Sequence, residues 1–130
     1  MRLKPCLFCN IDKSRVVSEA DLCYAIADGF PVTPGHTLVI PKRHVETYFG
    51  LTDEEVLACN SMLKALRQSI MVSDSSVKAF NVGMNAGAEA GQTIFHCHIH
   101  LIPRREGDVE NPRGGVRHLI PGKGFYQSND

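Results

Sequence analysis

The chain has 130 residues, enough for one domain with a real core but not for two. Its 14 basic and 14 acidic residues cancel, whereas a nucleic-acid polymer or a membrane surface as partner would favour a basic excess, so neither is expected. No apolar run approaches about 20 residues, Met1-Arg2-Leu3-Lys4-Pro5-Cys6 lacks the apolar stretch of a signal peptide, and the cysteine count of five is odd, so reduced thiols in the cytoplasm are the expectation.

Cys6-Leu7-Phe8-Cys9 comes first. Two cysteines so spaced can put both thiolates on one metal, and Zn²⁺ takes such pairs readily, but one pair is only half a tetrahedral site. The plain alternative is two small buried hydrophobes. Thioredoxin-type redox chemistry fits less well, because that motif normally follows a strand and opens a helix. Two short strands are expected at residues 15–19 and 22–27, with Glu19-Ala20-Asp21 as the turn. The Gly- and Pro-rich stretch Asp28 to Gly35 reads as a loop. It leads to a third strand, His36-Thr37-Leu38-Val39-Ile40, which Pro41 is expected to end.

The clearest helix starts at Thr52. Thr52 with Glu55 makes a capping box, and Asp53 and Glu54 suit the positive end of the helix dipole. Val56, Cys59, Leu63, Leu66 and Ile70 step by three or four and predict one stripe facing the sheet, flanked by Met62 and Met71. The helix is expected to end near Val72. A fourth strand covers residues 77–83. The loop from Met84 to Thr93 follows, with glycines that let backbone approach a ligand.

Phe95-His96-Cys97-His98-Ile99-His100-Leu101-Ile102 then alternates histidine with apolar residues, and holds three of the six histidines. That alternation reads as a half-buried strand, with His96, His98 and His100 on one face and Phe95, Cys97, Ile99 and Leu101 in the core. Residues two apart on a strand are separated by roughly 6.5–7 Å, so His96 and His100 are expected about 13 Å apart. Neighbouring pairs could share an ion, which leaves a tri-histidine metalloenzyme open, although the nearest carboxylate is Glu89. The other reading divides the labour: His96 joins Cys6, Cys9 and His44 in a closed structural zinc site. His98 and His100 stay free for nucleophilic and acid–base work near neutral pH. Asn85, Gln92, Thr93 and His100 are the residue types that could donate to phosphate oxygens.

His96-Cys97-His98-Ile99-His100-Leu101-Ile102 resembles the signature of the histidine-triad (HIT) family. Thr33-Pro34-Gly35-His36-Thr37-Leu38-Val39-Ile40-Pro41, Asn85 and Gly91-Gln92-Thr93 match that family's ligand-contacting segments. Asn81 to Gly87, Ala90 to Thr93 and Ile102-Pro103-Arg104 are most similar to the dinucleoside polyphosphate hydrolase branch, with the purine phosphoramidase branch second. The resemblance spans roughly residues 6 to 104.

It implies an α+β fold: a five-stranded antiparallel sheet with one long and one short helix, paired in a homodimer into a ten-stranded sheet. Residues 1–104 would form the HIT domain, and 105–130 a C-terminal tail packing on the domain or on the partner. The implied activity is a nucleotide hydrolase or transferase, acting at the α-phosphate of a nucleoside 5′-phosphate through a covalent nucleotidyl-histidine on His98. His100, His36, Gln92 and Thr93 would complete the catalytic set. Leu7, Phe8, Ile11 and Ile26 would line the pocket of a purine base, Asp28 would bind the ribose hydroxyls, and Asn85 an α-phosphate oxygen. Cys6, Cys9, His44 and His96 would hold one structural zinc per chain, with no cofactor in the chemical step. The rivals are a purine nucleoside phosphoramidase, a non-catalytic nucleotide-binding module on the same fold, and the tri-histidine metal-dependent hydrolase.

Overall fold

Side chains alternate along a strand, and here the alternation sorts them into two cores, one on each face of a single sheet. A computed structural model of the chain describes residues 5–126. The strands are β1 (Val16–Glu19), β2 (Cys23–Ala27), β3 (Thr37–Pro41), β4 (Val77–Gly83) and β5 (Ile99–Arg105), with one α-helix, α1 (Asp53–Ser73), among the described residues. The sheet is five-stranded and antiparallel throughout, in the order β1-β2-β3-β5-β4. The remaining helical pieces are short 3₁₀ turns, including Ala88–Ala90 before the histidines and Gly115–Leu119 in the tail.

On one face Cys23, Ala25, Val39 and Ile99 meet Cys59 and Met62 of α1. On the other, Tyr24, Ile26, Leu38 and Ile40 meet Phe8 from the N-terminal segment. Cover on both faces explains why β3 is buried at every position and β2 at all but its last. The Tyr24 hydroxyl donates to the Phe8 carbonyl and pins the segment that carries Cys6 and Cys9 across the sheet. Burial pushes that phenol up to about 12, so it remains a donor at any ordinary pH.

The capping box forms as expected. Thr52 Oγ1 accepts from Glu55 N–H at 3.1 Å, and Glu55 Oε1 accepts from Thr52 N–H at 2.8 Å. The helix ends one residue beyond the expected point; Glu55, Cys59 and Met62 are its fully buried residues, and Leu63 and Leu66 of the expected stripe pack against the same core. Met62, beside that stripe, is core as expected. The buried Glu55 carboxylate at the first turn is held by Arg43.

β3 ends at Pro41 as expected, with the proline itself its last residue, paired with Cys23. At the other end of the sheet β5 continues through Pro103 to Arg105. A proline fits inside a strand where its missing N–H faces no ladder. The β3–β5 ladder joins only Thr37–Val39 to Leu101–Ile99, so both prolines lie outside it. A difference from the sequence expectation concerns the histidines. β5 starts at Ile99, and residues 94–96 are a bend, so His96 and His98 sit on the approach to the strand. Phe95 is 46% exposed rather than in the core, since the bend breaks the alternation at that end.

Beyond β5 the tail folds back on the same chain. Arg104 donates to Asn81 at 2.6 Å and to Asp108, and Gly115 lies against the Asn81 side chain. Arg117 donates to the carbonyls of Gly124 and Lys123 and lies over the Tyr126 ring. No helix among the described residues is long and apolar enough to cross a membrane.

Candidate active site and metal centre

Three elements bring the histidines together: β3, with His36 just before it and His44 after it, the bend before β5, and β5 itself. The register sets Leu38 opposite His100, so the residues around them share one face with Phe8, Ile26 and Ile40. Phe8 also separates two groups of rings. Its centroid is 6.0 Å from that of His96 and 5.0 Å from that of His98.

On one side of Phe8 lie Cys6, Cys9, His44 and His96, whose four ligand atoms all fall within 4.8 Å of one another. His96 Nδ1 is 3.4 Å from Cys6 Sγ and 3.5 Å from Cys9 Sγ, and His44 Nδ1 is 3.3 Å from Cys9 Sγ. A tetrahedral zinc with sulfur at about 2.3 Å and nitrogen at about 2.0 Å sets S···N edges of about 3.5 Å. The donor set and its spacing fit that ion. His96 Nε2–H donates to the Pro41 carbonyl at 2.7 Å, the outer contact that orients a ligating imidazole and leaves Nδ1 for the metal. Burial, with Cys6 beside it, raises the Cys9 thiol, so a bare thiolate pair is disfavoured there and a dication would relieve it. Burial likewise lowers His96, which suits the neutral ligand form.

On the other side is a cavity of about 260 Å³ lined by Leu7, Phe8, Ile26, Asp28, Thr93, His98 and His100 from the predicted set. Arg15, Gly29, Phe30, Leu38, Gly91 and Ile94 complete its wall. Larger cavities of about 650 and 640 Å³ lie between β4, β5 and the tail, around Arg104, Val109 and Pro112, away from His98 and His100. The smaller one is the cavity whose wall holds His98 and His100.

His98 donates from Nδ1 to the backbone carbonyl of His96 at 2.8 Å, which leaves Nε2 as its unprotonated nitrogen when the ring is neutral. The His98 and His100 rings are 5.4 Å apart, centroid to centroid. His100 Nδ1 is 2.9 Å from His36 Nε2, and Asp28 Oδ2 stands 3.3 Å from His36 Nε2 and 3.9 Å from His100 Nδ1. Burial lowers both His36 and His100, with Asp28 opposing it, and His98 and His36 add to the effect at His100. Both rings are thereby held neutral near pH 7. The ligand atoms of Asp28, His36 and His100 also lie within 4.8 Å of one another, and a hydrogen bond joins the two rings.

Four predicted residues are not in the cavity wall: His36, which is bonded to His100, and Gln92, Asn85 and Ile11. Gln92 is buried and used up by the backbone: Oε1 accepts from Gly87 N–H at 2.8 Å, while Nε2 donates to the carbonyls of Glu46 at 2.6 Å and Ile94 at 3.1 Å. It ties the loop rather than lining the cavity. Asn85 is half-buried and outside the cavity wall, and Ile11 packs behind it with Phe8. The wall residues that sequence reasoning missed come from turns and register. Gly91, at φ +96°, needs a glycine, a signal the sequence did carry; Arg15 and Phe30 reach the cavity only through the packing of two loops.

The HIT domain profile matches residues 11–107, most of the chain. The chain belongs to the histidine-triad (HIT) family. It is 39% identical over 107 residues to the adenylylsulfatase HINT3 of Arabidopsis thaliana, covering 79% of this chain and 54% of that protein. It is 36% identical over 95 residues to the asymmetrical bis(5′-nucleosyl)-tetraphosphatase of Schizosaccharomyces pombe, covering 73% and 52%. The chain thus spans about half the length of both enzymes. Among solved structures, a Zn-bound histidine triad family protein from Mycobacterium smegmatis superposes with a TM-score of 0.73 at 34% identity, covering 79% of this chain and 77% of that one. Members of the HIT family include nucleotide hydrolases, and the fold of this member is theirs.

Proposed function

We propose that this protein hydrolyses a dinucleoside polyphosphate at its α-phosphate through a covalent nucleotidyl-histidine on His98. The observation that carries the reading is the His98–His96 contact. With Nδ1 donating to a carbonyl, Nε2 keeps its lone pair and stands at the wall of the cavity. In the first step Nε2 attacks the α-phosphorus, the P–O bond to the bridging oxygen breaks, and that oxygen leaves with the bonding pair. In the second, water attacks the same phosphorus, the P–N bond breaks, and a nucleoside monophosphate departs. Leu7, Phe8 and Ile26 hold the base, Asp28 the ribose hydroxyls, and Thr93 and His100 the phosphate and leaving group.

His100 is held neutral, which suits a polyphosphate leaving group. Such a group departs as a stable anion and needs only a hydrogen bond, whereas an amine needs a full proton. That favours the phosphoanhydride over the phosphoramidate, in line with the S. pombe tetraphosphatase. Cys6, Cys9, His44 and His96 hold one structural zinc, as the spacing of their ligand atoms supports. Zinc there supplies a cross-link between the N-terminal segment and the sheet. Homodimerisation through the free edge of β4 and the outer face of α1, where Leu57 and Val72 are exposed, belongs to the same reading.

The test sets diadenosine tetraphosphate beside an adenylyl phosphoramidate and follows the protein by mass spectrometry. A transient adenylyl adduct on His98 is expected, with the tetraphosphate the faster substrate. His98→Ala is expected to lower kcat by about four orders of magnitude without changing zinc content. Near-native turnover by His98→Ala, or AMP binding with no turnover of either substrate, overturns the reading.

A further inference from the structure

A pair of neutral imidazoles can run its hydrogen bond in two directions, and here a backbone amide decides which. Val32 N–H donates to His36 Nδ1 at 3.1 Å, so that nitrogen is bare and the proton of the neutral ring sits on Nε2. Nε2–H then donates to His100 Nδ1 at 2.9 Å, which puts the proton of the neutral His100 ring on its own Nε2. In the reverse direction His36 would carry its proton on Nδ1, head to head with Val32 N–H, in a ring only 3% exposed. His100, in the cavity wall, therefore offers an N–H rather than a lone pair for as long as the Val32 amide keeps its place.

The loop that carries this amide has little of its own to hold it. The Val32 side chain is 71% exposed, and Pro31 and Pro34 have no N–H to donate. The hold comes from the end of β5. Arg105 Nη1 donates to Thr33 Oγ1 at 2.8 Å, and Nη2 donates to the Pro34 carbonyl at 2.9 Å. The same guanidinium is anchored on its far side, where Nη2 also donates to Asp74 Oδ2 at 2.8 Å and Nε to Ser76 Oγ at 2.9 Å. Asp74 sits at the end of α1, with its N–H on the Ile70 carbonyl at 2.9 Å. Hydrogen bonds from Ser76, and then from Arg105, lower its carboxyl to about 2, so the anchor stays charged near neutral pH. The Asp28 end of the loop is tied separately, by Asp28 N–H on the His36 carbonyl at 3.0 Å and Phe30 N–H on Asp28 Oδ1 at 2.8 Å.

We propose that Arg105 is a positioning residue for His100: its fork holds Thr33 and Pro34, which keeps the Val32 amide on His36 and the hydrogen-bond chain running toward the cavity. The catalytic consequence rests on the reading of the cavity as a nucleotide site. In the native chain His100 presents Nε2–H to the bridging oxygen. Without the fork, Val32 N–H leaves His36 Nδ1, the reverse direction opens, and a fraction of the molecules presents a lone pair to an oxygen that repels it. Those molecules still bind the nucleotide, because Asp28 and the apolar wall keep their own ties. The loss falls on kcat, not on KM.

The experiment compares the native chain, zinc-loaded and full-length, with Arg105→Ala and with Thr33→Val. The second variant removes one acceptor of the fork and leaves Arg105 in place, so it decides the matter if Arg105→Ala does not fold. Long-range ¹H–¹⁵N spectra of the imidazoles read the tautomers without substrate. The native chain is expected to show His36 and His100 both protonated on Nε2, and Arg105→Ala to shift both rings toward Nδ1–H. With diadenosine tetraphosphate, Arg105→Ala is expected to lose about tenfold in kcat, the scale of one hydrogen bond to a developing charge, with KM and zinc content unchanged. Thr33→Val is expected to move both readouts the same way, with a loss in kcat of about threefold. Native tautomers and native kcat in the variants, whatever happens to their melting temperature, make Arg105 a structural tie alone and overturn the proposal. So does a loss confined to KM. If the native chain turns over neither the tetraphosphate nor the phosphoramidate, the hydrolase reading fails, while the spectra still decide whether Arg105 sets the direction of the hydrogen-bond chain.

Discussion

The carbonyl that fixes the His98 tautomer belongs to His96, whose own Nδ1 faces the thiols of Cys6 and Cys9 at 3.4 and 3.5 Å. The candidate nucleophile and the candidate zinc site are thus joined by one backbone group, in a bend with no strand ladder of its own. His96 is fully buried, and its far nitrogen is held by the Pro41 carbonyl. Anything that displaces the His96 backbone moves both this imidazole and the carbonyl that orients His98.

Loss of zinc should therefore act on catalysis through position. Freshly purified protein is expected to hold about one zinc per chain, the capacity of one four-ligand site. Cys9→Ser should lower both zinc content and melting temperature, and kcat should fall in parallel with the ordered fraction. A chelator should act slowly, at the rate of local opening, because the site is closed and Phe8 covers its inner side. Fast, reversible inhibition at an unchanged melting temperature would instead mean that the ion does the chemistry, as the tri-histidine reading requires.

Gln92 separates the family's implied role from the one its contacts suggest. All of its polar atoms are spent on Gly87, Glu46 and Ile94, and its neighbours Gly91 and Thr93 stand in the cavity wall. Gln92→Ala leaves one N–H and two carbonyls of a buried loop without their partner. It should destabilise the protein by about 2–3 kcal/mol, measured by urea denaturation. KM should rise with the loss of loop order. A variant with native stability and KM but a much lower kcat would put Gln92 on the substrate, and the loop-tie account would be wrong.

What could be read from the sequence followed local rules. Thr52 and Glu55 announced the helix start, and short strand-like runs bounded by turn residues and proline placed β2 and β3. The Cys-x-x-Cys pair and the histidines pointed to two separate tasks. The parts that escaped depend on long-range register. Pro103 lies inside β5 because that strand goes on pairing with β4 past the end of the β3–β5 ladder. Phe95 looked like core because alternation continues through it, yet the chain bends there so that His96 reaches the cysteines. Gln92 looked like a phosphate donor because its residue type fits, while its satisfied contacts come from residues up to 46 positions away. Arg15 and Phe30 carried no local signal for the cavity at all.

The same limits apply to Glu55, read as half of a capping box and found to hold Arg43 as well. Its Oε1 accepts from Thr52 N–H and Arg43 Nη2, and its Oε2 from Arg43 Nε, at 2.8–3.0 Å. Arg43 in turn donates to the Gly50 carbonyl and directly precedes His44, so the pair anchors the turn that carries a candidate zinc ligand. The Arg43 hydrogen bonds pull the Glu55 carboxyl from its ordinary 4.5 down to about 2, against the effect of burial. A carboxyl lowered in the folded state stabilises fully above its unfolded value and loses that contribution as pH falls through the folded one. The window is therefore about pH 4.5 down to about 2. Over it the native chain should lose about 2 kcal/mol that a Glu55→Gln variant does not, read from urea midpoints at matched ionic strength. At pH 7 the variant should already be weaker by a similar amount. Parallel acid profiles for the two proteins would show that Glu55 is not paired in the folded state.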